Sequence, residues 1–166
     1  MKRIFILLSL FFYSLSSCQT PIKNRKQQAV INAKPVKISI ENGIARAYFA
    51  SGCFWCVEAI YESVIGVQKS ISGYAGGYTN NPTYELSNTG RTGHAEAVEV
   101  YYDSDLVSFS TLLDVYFGSQ NVAQVNGQGP DIGSQYRSII FYQNETQKRL
   151  ILKKIVEVEK IQNIQV

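Results

Sequence analysis

Two cysteines three residues apart constrain this chain more than any other feature. Cys53 and Cys56 lie in the stretch GCFWC (52–56), which follows a short apolar run typical of a strand. Apolar residues with helical spacing come next, so Cys53 is predicted at a helix N-terminus, where free N–H groups and the helix dipole favour an anion such as a thiolate. Cys56 is then predicted one turn later on the same face, within reach of a disulfide.

Several kinds of site fit this spacing. The pair can be a dithiol that cycles with a disulfide, a thioredoxin-like centre, or half of a metal site. It can also be two structural cysteines that pack beside Trp55, the only tryptophan of the chain. The spacing alone leaves these alternatives open.

The N-terminal residues have the pattern of a secretory signal peptide. Lys2 and Arg3 precede an apolar run too short for a convincing membrane span, and small and polar residues lead to Cys18. Residues 15–18, LSSC, resemble a bacterial lipobox, which predicts that Cys18 is lipidated, although a plain cleaved signal is the alternative. We therefore expect a lipid-anchored protein of the cell envelope, facing the periplasm or the exterior.

Composition then divides the rest of the chain. Removal of residues 1–17 takes away two positive charges, so the net charge falls from +3 by two to +1, and a nucleic-acid-binding function loses its main support. Residues 18–43 are rich in Gln, Lys, Asn and Pro and predict a flexible tether. Residues 44–166 are long enough for one compact domain.

Strands and helices are mixed along this domain rather than strictly alternating. Strands are predicted over residues 44–50, 67–74, 94–102 and 136–142, and a polar loop over residues 121–135 is long enough to suggest a function. Helices are predicted over residues 53–65, from residue 109 with Ser108 or Ser110 as its cap, and from residue 145 with Asn144 as its cap. The pattern favours an α+β sandwich.

Five longer motifs carry a resemblance to a known family. They are GCFWCVE (52–58), GYAGGY (73–78), NPTY (81–84), GHAEAV (93–98) and QGPDIGSQYRS (128–138). In this order and spacing they resemble the signature motifs of the A-type peptide methionine sulfoxide reductases, over about residues 45–150. The resemblance implies an α+β two-layer sandwich with a mixed sheet and a ferredoxin-like core.

The resemblance also implies an activity, that of a peptide-methionine (S)-S-oxide reductase acting on oxidised proteins or peptides. Cys53 matches the family's nucleophile and Glu96 its proton donor. A glutamate with an ordinary pKa of about 4.3 would be ionised at neutral pH and unable to donate, so the site must raise the pKa of Glu96 by apolar burial. Phe54 and Trp55 can supply that burial, and both match the aromatic pocket for the substrate's S-methyl group.

Three further positions match the family's substrate contacts. Tyr84 and Tyr136 match tyrosines that hydrogen-bond the sulfoxide oxygen, and Asp131 matches a residue on the substrate's backbone side. His94 invites a Cys-His interpretation, but we interpret it as structural, shaping the turn before Glu96.

Recycling depends on where the second thiol lies. Reduction of a sulfoxide leaves Cys53 as a sulfenic acid, and Cys56 is the only internal thiol expected to resolve it, since no cysteine follows it. The resemblance implies no bound cofactor or metal, a monomer, and recycling by thioredoxin or a thioredoxin-like protein.

The sequence departs from the family in two places. Gln120-Asn121-Val122 stands where relatives often carry His-Asp-Pro, and residues 158–166 do not match the tail that packs near the site in relatives, so the domain is expected to be shortened at its C-terminus. Two other functions therefore stay open: a general thiol-disulfide oxidoreductase, and an inactive anchored module that binds methionine sulfoxide.

Overall fold

The computed structural model describes residues 40–41 and 43–163. The predicted signal peptide (1–17), Cys18 and most of the predicted tether lie outside these residues. The elements are β1 Ile44–Ala50, α1 Phe54–Glu62, β2 Val67–Ala75, α2 Tyr84–Asn88, β3 Ala95–Asp103, α3 Phe109–Gly118, β4 Gly127–Gln128, β5 Asp131–Ile132, a 3₁₀ turn Ser134–Tyr136, β6 Ile139–Phe141 and α4 Glu145–Gln162.

The main sheet has the strand order β2-β3-β1-β6. This is the order of a ferredoxin-like core, so the predicted α+β class is confirmed. The prediction of a mixed sheet is wrong, because every pairing in this sheet is antiparallel. β1 and β2 run in the same direction, as a strand-helix-strand unit requires, but β3 lies between them and pairs with both.

The core lies on the face of the sheet that α1, α3 and α4 cover. Alternate residues of β1 point into it, among them Phe49, which is fully buried. The Phe49 ring stacks on Tyr61 of α1 at 4.8 Å and lies 5.5 Å from Tyr116 of α3. The Tyr61 hydroxyl donates a hydrogen bond to the Leu112 carbonyl at 3.2 Å. These contacts fix the strand that ends immediately before the cysteine pair.

The helix ends follow local capping chemistry. Ser108 and Asn144 cap α3 and α4 by accepting hydrogen bonds from Thr111 N and Gln147 N. Cys53 is the N-cap of α1, as predicted, but the helix ends at Glu62 rather than at residue 65. The following turn uses Gly66, whose φ of +95° favours glycine.

The region around residues 121–142 differs from the sequence prediction. Part of the predicted loop forms the β4–β5 hairpin. The last strand covers only Ile139–Phe141, and Tyr136 lies in the 3₁₀ turn before it. The helix α2 was not predicted, and it begins where Thr83 Oγ1 accepts a hydrogen bond from Leu86 N.

Within the described part of the chain, no helix combines the length and the apolar composition needed to cross a membrane.

Candidate active site

The turn between β1 and α1 places the first cysteine. Gly52 has φ +77°, and an added Cβ there would lie 2.7 Å from the Gln128 Cβ, so both conformation and space require glycine. The Gly52 N–H donates a hydrogen bond to the Tyr136 carbonyl at 3.1 Å. This bond brings the 3₁₀ turn that carries Tyr136 beside the turn that carries Cys53.

Both cysteines of the pair are free thiols, and they differ in exposure. Cys53 is half-buried and Cys56 is exposed. The negative charge of Cys53 raises the pKa of the Cys56 thiol, with burial and a hydrogen bond between the two side chains as lesser causes. The two sulfurs are therefore close enough to influence each other's chemistry, as the spacing predicted.

Glu96 reaches the same helix N-terminus from β3. Its side chain is 2% exposed, and one carboxylate oxygen accepts a hydrogen bond at 3.1 Å from the backbone N–H of Phe54, the residue directly after Cys53. Burial raises the pKa of Glu96, the Phe54 hydrogen bond opposes that shift, and the charge of Asp131 adds to it. The direction is the one that the proton-donor interpretation requires.

Four aromatic rings form a wall beside Glu96. Phe54 lies 5.3 Å from Trp55, 5.5 Å from Tyr74 and 6.4 Å from Tyr84, and Tyr84 stacks on Trp55 at 5.7 Å. Phe54 is buried, whereas Trp55 is 60% exposed and Tyr84 is 41% exposed. The wall therefore has a buried base and an open edge, as a pocket for a small apolar group requires.

Tyr74 is a member of this wall for which the sequence analysis predicts no role. It stands directly opposite Glu96 in the β2–β3 pairing. Burial raises the pKa of Tyr74, and the charge of Glu96 raises it further. Its place in the second motif was the signal, but only the strand pairing shows that it faces the acid.

Tyr136 and Asp131 complete the set predicted from the sequence. Burial raises the pKa of Tyr136, followed by the charges of Glu96 and Asp131, so these three side chains share one electrostatic environment. Asp131 also lines a cleft of about 300 Å³ together with Cys53 and Cys56. The structure thus brings Asp131 to the cysteine side of the site.

The side chains of His94 and Arg137 connect the loops around Glu96 through hydrogen bonds. His94 Nδ1 accepts a hydrogen bond from Gly77 N at 3.2 Å, and its Nε2 lies 2.9 Å from the Thr79 carbonyl, which indicates that Nε2 carries the proton. Arg137 donates to the Ser134 and Gly93 carbonyls at 2.6 and 2.9 Å. These contacts agree with a structural role for His94.

Gln120 connects the cysteine turn to β6, a role the sequence did not predict. Its Oε1 accepts hydrogen bonds from the hydroxyls of Ser51 and Ser138, both at 2.6 Å. Gln128 Nε2 donates to the same Ser138 hydroxyl at 3.2 Å. Gln120 belongs to the segment that departs from the family pattern, which was the available signal.

Among the described residues, no group of three or more His, Cys, Asp or Glu side chains is placed to hold a metal ion. This part of the chain therefore provides no complete set of ligands for the metal site that was one interpretation of the cysteine pair.

A cysteine at a helix N-terminus, with a second thiol and a buried carboxyl group beside it on an α+β fold, is the arrangement expected of a cysteine-based redox protein. A comparison with known families identifies the protein more specifically. The model of the peptide methionine sulfoxide reductase family matches residues 45–165, and the chain belongs to that family.

Individual relatives agree with this assignment. The chain is 51% identical over 114 residues to the peptide methionine sulfoxide reductase MsrA of Pasteurella multocida, covering 69% of this chain and 66% of that protein. It is 53% identical over 106 residues to the MsrA of Natronomonas pharaonis, covering 64% and 60%. The matches thus span between 60% and 66% of the length of these curated relatives, which is less than two thirds.

Solved structures show the same fold. Methionine sulfoxide reductase A of Corynebacterium diphtheriae matches with a TM-score of 0.65 and 30% identity, covering 77% of this chain and 66% of that one. Mxr1 from Saccharomyces cerevisiae in its reduced form matches with a TM-score of 0.69 and 26% identity, covering 78% and 76%.

Proposed function

We propose that this chain reduces the S epimer of methionine sulfoxide in oxidised proteins to methionine. The observation that carries the proposal is Glu96, a buried carboxyl group bonded to the N–H of the residue after Cys53. Burying an ionised carboxyl group is unfavourable, which favours its protonated form, and such perturbed groups are found preferentially at functional sites. Sulfoxide reduction needs a proton for the departing oxygen, whereas general disulfide exchange at Cys53 and Cys56 does not.

The first half-reaction uses Cys53 and Glu96. Cys53 Sγ attacks the sulfoxide sulfur, and Glu96 gives its proton to the sulfoxide oxygen. The S–O bond then breaks as the protonated oxygen passes to Cys53 Sγ, and the transient bond between the two sulfurs breaks with its electron pair on the substrate sulfur. The substrate leaves as methionine, reduced by two electrons, and Cys53, oxidised by two, is left as a sulfenic acid.

The aromatic wall and the tyrosines select and orient the substrate. Phe54 and Trp55 receive the S-methyl group, since a buried ring with an exposed neighbour offers apolar contact near the surface. The hydroxyls of Tyr84 and Tyr136 hydrogen-bond the sulfoxide oxygen and stabilise the charge that develops on it. Asp131 holds the backbone side of the substrate.

Cys56 resolves the sulfenic acid. Its thiol attacks Cys53 Sγ, water leaves, and a Cys53–Cys56 disulfide forms. The charge of Cys53 is the main cause that raises the pKa of Cys56 in the reduced pair, which shows that the two thiols interact. Thioredoxin or a thioredoxin-like protein then reduces the disulfide, and no bound cofactor takes part.

The N-terminal sequence pattern supports a location in the cell envelope. We propose that residues 1–17 are removed, that Cys18 is lipidated, and that residues 18–43 tether a monomeric domain to the membrane. Labelling of the chain by a radioactive fatty acid, and its loss in Cys18→Ala, tests the anchor. Equal labelling of the variant would reject lipidation at Cys18.

A turnover assay tests the activity itself. The wild-type chain should release methionine from a peptide S-sulfoxide with dithiothreitol as reductant, and Cys53→Ser should release none while its circular dichroism is unchanged. Methionine formation by Cys53→Ser would refute the nucleophile. No turnover by a folded wild-type chain would favour the inactive binding module.

A further inference from the structure

The flank of Glu96 that faces β2 carries one large side chain. Glu96 and Tyr74 stand directly opposite each other in the β2–β3 ladder. The Tyr74 ring lies 5.5 Å from the ring of Phe54, whose backbone N–H donates a hydrogen bond to Glu96 at 3.1 Å. The acid therefore has the first turn of α1 as one neighbour and the Tyr74 ring as another.

The hydrogen-bond pattern of the ladder brings these two side chains close together. In β2, the Ser72 N–H donates to the Glu58 carboxylate at 2.9 Å rather than to β3. Tyr74 is two residues further on, so its backbone groups also point away from β3. Tyr74 and Glu96 thus form a non-hydrogen-bonded pair, in which the Cα atoms lie about 4.5 Å apart and the side chains are closest.

No other residue of β2 can cover the acid in the same way. Ser72, the preceding residue on this face of the strand, is small, and its hydroxyl is bonded to Glu58. β2 ends at Ala75, one residue after Tyr74. On this flank the burial of Glu96, which is 2% exposed, therefore depends on the Tyr74 ring.

The open edge of the aromatic wall contributes less to this burial. Trp55 and Tyr84 are 60% and 41% exposed, and they stack on each other at 5.7 Å. A ring that is itself open to water shields a neighbouring carboxyl group poorly. Tyr74, in contrast, packs against the main core cluster. The wall therefore has an edge that can meet substrate and a separate ring that faces the acid.

We propose that Tyr74 is a positioning residue for Glu96, whose ring covers the acid on the β2 side and keeps water from the carboxyl group. Tyr74 acts through Glu96, so this role rests on the proposed function, in which Glu96 gives its proton to the sulfoxide oxygen. The ring performs this role, and the phenol hydroxyl is not required for it.

The electrostatics of the pair agree with this geometry. Burial is the largest cause that raises the pKa of Glu96, ahead of the opposing hydrogen bond from Phe54 and the charge of Asp131. Burial and the charge of Glu96 raise the pKa of Tyr74 above its ordinary value of 10. The phenol is therefore neutral wherever Glu96 titrates, and its ring is an uncharged cover.

Other ionisable groups also lie around Glu96, and none of them is altered by a change at Tyr74. They are Cys53 at the N-cap of α1, Tyr84 of α2, His94 before β3, Asp131 of β5 and Tyr136 of the 3₁₀ turn. A titration of Glu96 itself, compared between variants of Tyr74, therefore isolates the effect of the ring.

Carbon-13 NMR of the reduced full chain measures that titration. Glutamate labelled at its side-chain carboxyl carbon reports protonation, and Glu96→Gln identifies the Glu96 signal. In Tyr74→Ala water reaches the acid, so Glu96 should titrate at a lower pH than in the wild type, closer to the ordinary glutamate value. Tyr74→Phe keeps the ring and should titrate like the wild type.

Tyr101→Ala is the matched control. It removes the same side chain from β3 on the other face of the sheet, where the Tyr101 ring contacts Arg46 and Lys69. The titration of Glu96 should be unchanged in this variant.

Single-turnover kinetics show whether the covered acid matters for the reaction. With excess enzyme and a peptide S-sulfoxide at neutral pH, Tyr74→Ala should form methionine about tenfold more slowly than the wild type, as expected if the protonated fraction of Glu96 falls by that factor. Its rate relative to the wild type at the same pH should rise toward one as the pH is lowered. A loss that came only from altered packing would not depend on pH in this way.

Two results would overturn the role of the Tyr74 ring. One is a Glu96 titration in Tyr74→Ala that coincides with the wild type. The other is a shift in Tyr74→Phe as large as in Tyr74→Ala, because the hydroxyl would then be the group that acts. If circular dichroism shows that Tyr74→Ala does not fold, Tyr74→Thr removes the ring with a branched side chain that suits a strand. The NMR titration needs no turnover, so a chain that reduced no sulfoxide would refute the proposed function and leave this test standing.

Discussion

Replacing Glu96 with glutamine isolates the proton from the shape of the site. Glutamine has nearly the same volume, and its Oε1 can accept the 3.1 Å hydrogen bond from Phe54 N. The variant should therefore fold and bind substrate, while single-turnover methionine formation should slow by about 10²–10⁴-fold at neutral pH, the usual size of a general-acid contribution.

The pH dependence of the rate gives a second test of the same residue. Burial raises the pKa of Glu96, so the wild-type rate should fall as pH rises through a value above the ordinary glutamate pKa. This limb should be absent in Glu96→Gln. Rapid-quench assays with excess enzyme and a peptide S-sulfoxide measure both, and a near-normal rate for the variant would refute the proton-donor role.

Stability should change in the opposite direction to activity. A carboxyl group whose folded-state pKa is raised has no penalty below its unfolded-state pKa of about 4.3, and destabilises the fold as pH rises through the folded-state pKa. Glu96→Gln should thus be more stable than the wild type at neutral pH, on the order of 1 kcal/mol, and the difference should vanish near pH 4. Glu99→Gln, on the same strand but with its carboxylate bonded to Tyr48, is the control and should retain activity.

Three further variants test other parts of the site. Gly52→Ala should lower the free energy of unfolding in urea by about 2–4 kcal/mol, because a Cβ would lie 2.7 Å from the Gln128 Cβ at a φ of +77°, whereas Gly43→Ala, at φ +79° with no atom within 4 Å, should lower it by only about 1–2; equal losses would refute the steric argument. Trp55→Ala should raise the KM for the sulfoxide about tenfold with little change in stability, since Trp55 is 60% exposed, and an unchanged KM would remove it from the pocket. Cys56→Ser should form about one methionine per chain and then stall with thioredoxin, leaving a sulfenic acid that dimedone traps and a small dithiol partly relieves; sustained turnover with thioredoxin would reject its resolving role.

Helix caps and short strands that depend on a few neighbouring residues could be predicted from the sequence. The strand Ile44–Ala50 was predicted at its observed bounds, because a short apolar run is clear there and Gly52 follows it. Ser108 and Asn144 were identified as caps because capping depends on a few neighbouring residues. The position of Cys53 at the start of α1 followed from the same kind of pattern.

Features that depend on distant residues could not be predicted in this way. The mixed sheet was implied by the family resemblance, and nothing in the sequence near β1 or β2 indicates that β3 inserts between them. Tyr136 was placed in a strand, but the Gly52 N–H holds its carbonyl and the backbone turns there. Tyr74 faces Glu96 only through strand pairing, and Gln120 joins Ser51 to Ser138 across long stretches of chain.

In the candidate site, too, some features were predictable from the sequence and others were not. Cys53, Glu96 and the aromatic pair were found from motifs, and the structure brings them to one helix N-terminus. The proton-donor role that the resemblance implies for Glu96 requires a raised pKa, and this predicts the direction of the shift. That Asp131 and Cys56 share a cleft needed the folded chain.

A single turnover without reductant tests the proposed reaction of Cys53 and Cys56. The reduced chain, freed of reductant, is mixed with excess peptide S-sulfoxide, quenched in acid and analysed by mass spectrometry for methionine and for the state of each thiol. The proposed reaction should give about one methionine per chain and a disulfide between Cys53 and Cys56 of the same chain. Unchanged thiols with no methionine, a lasting sulfenic acid, or a disulfide between two chains would contradict it.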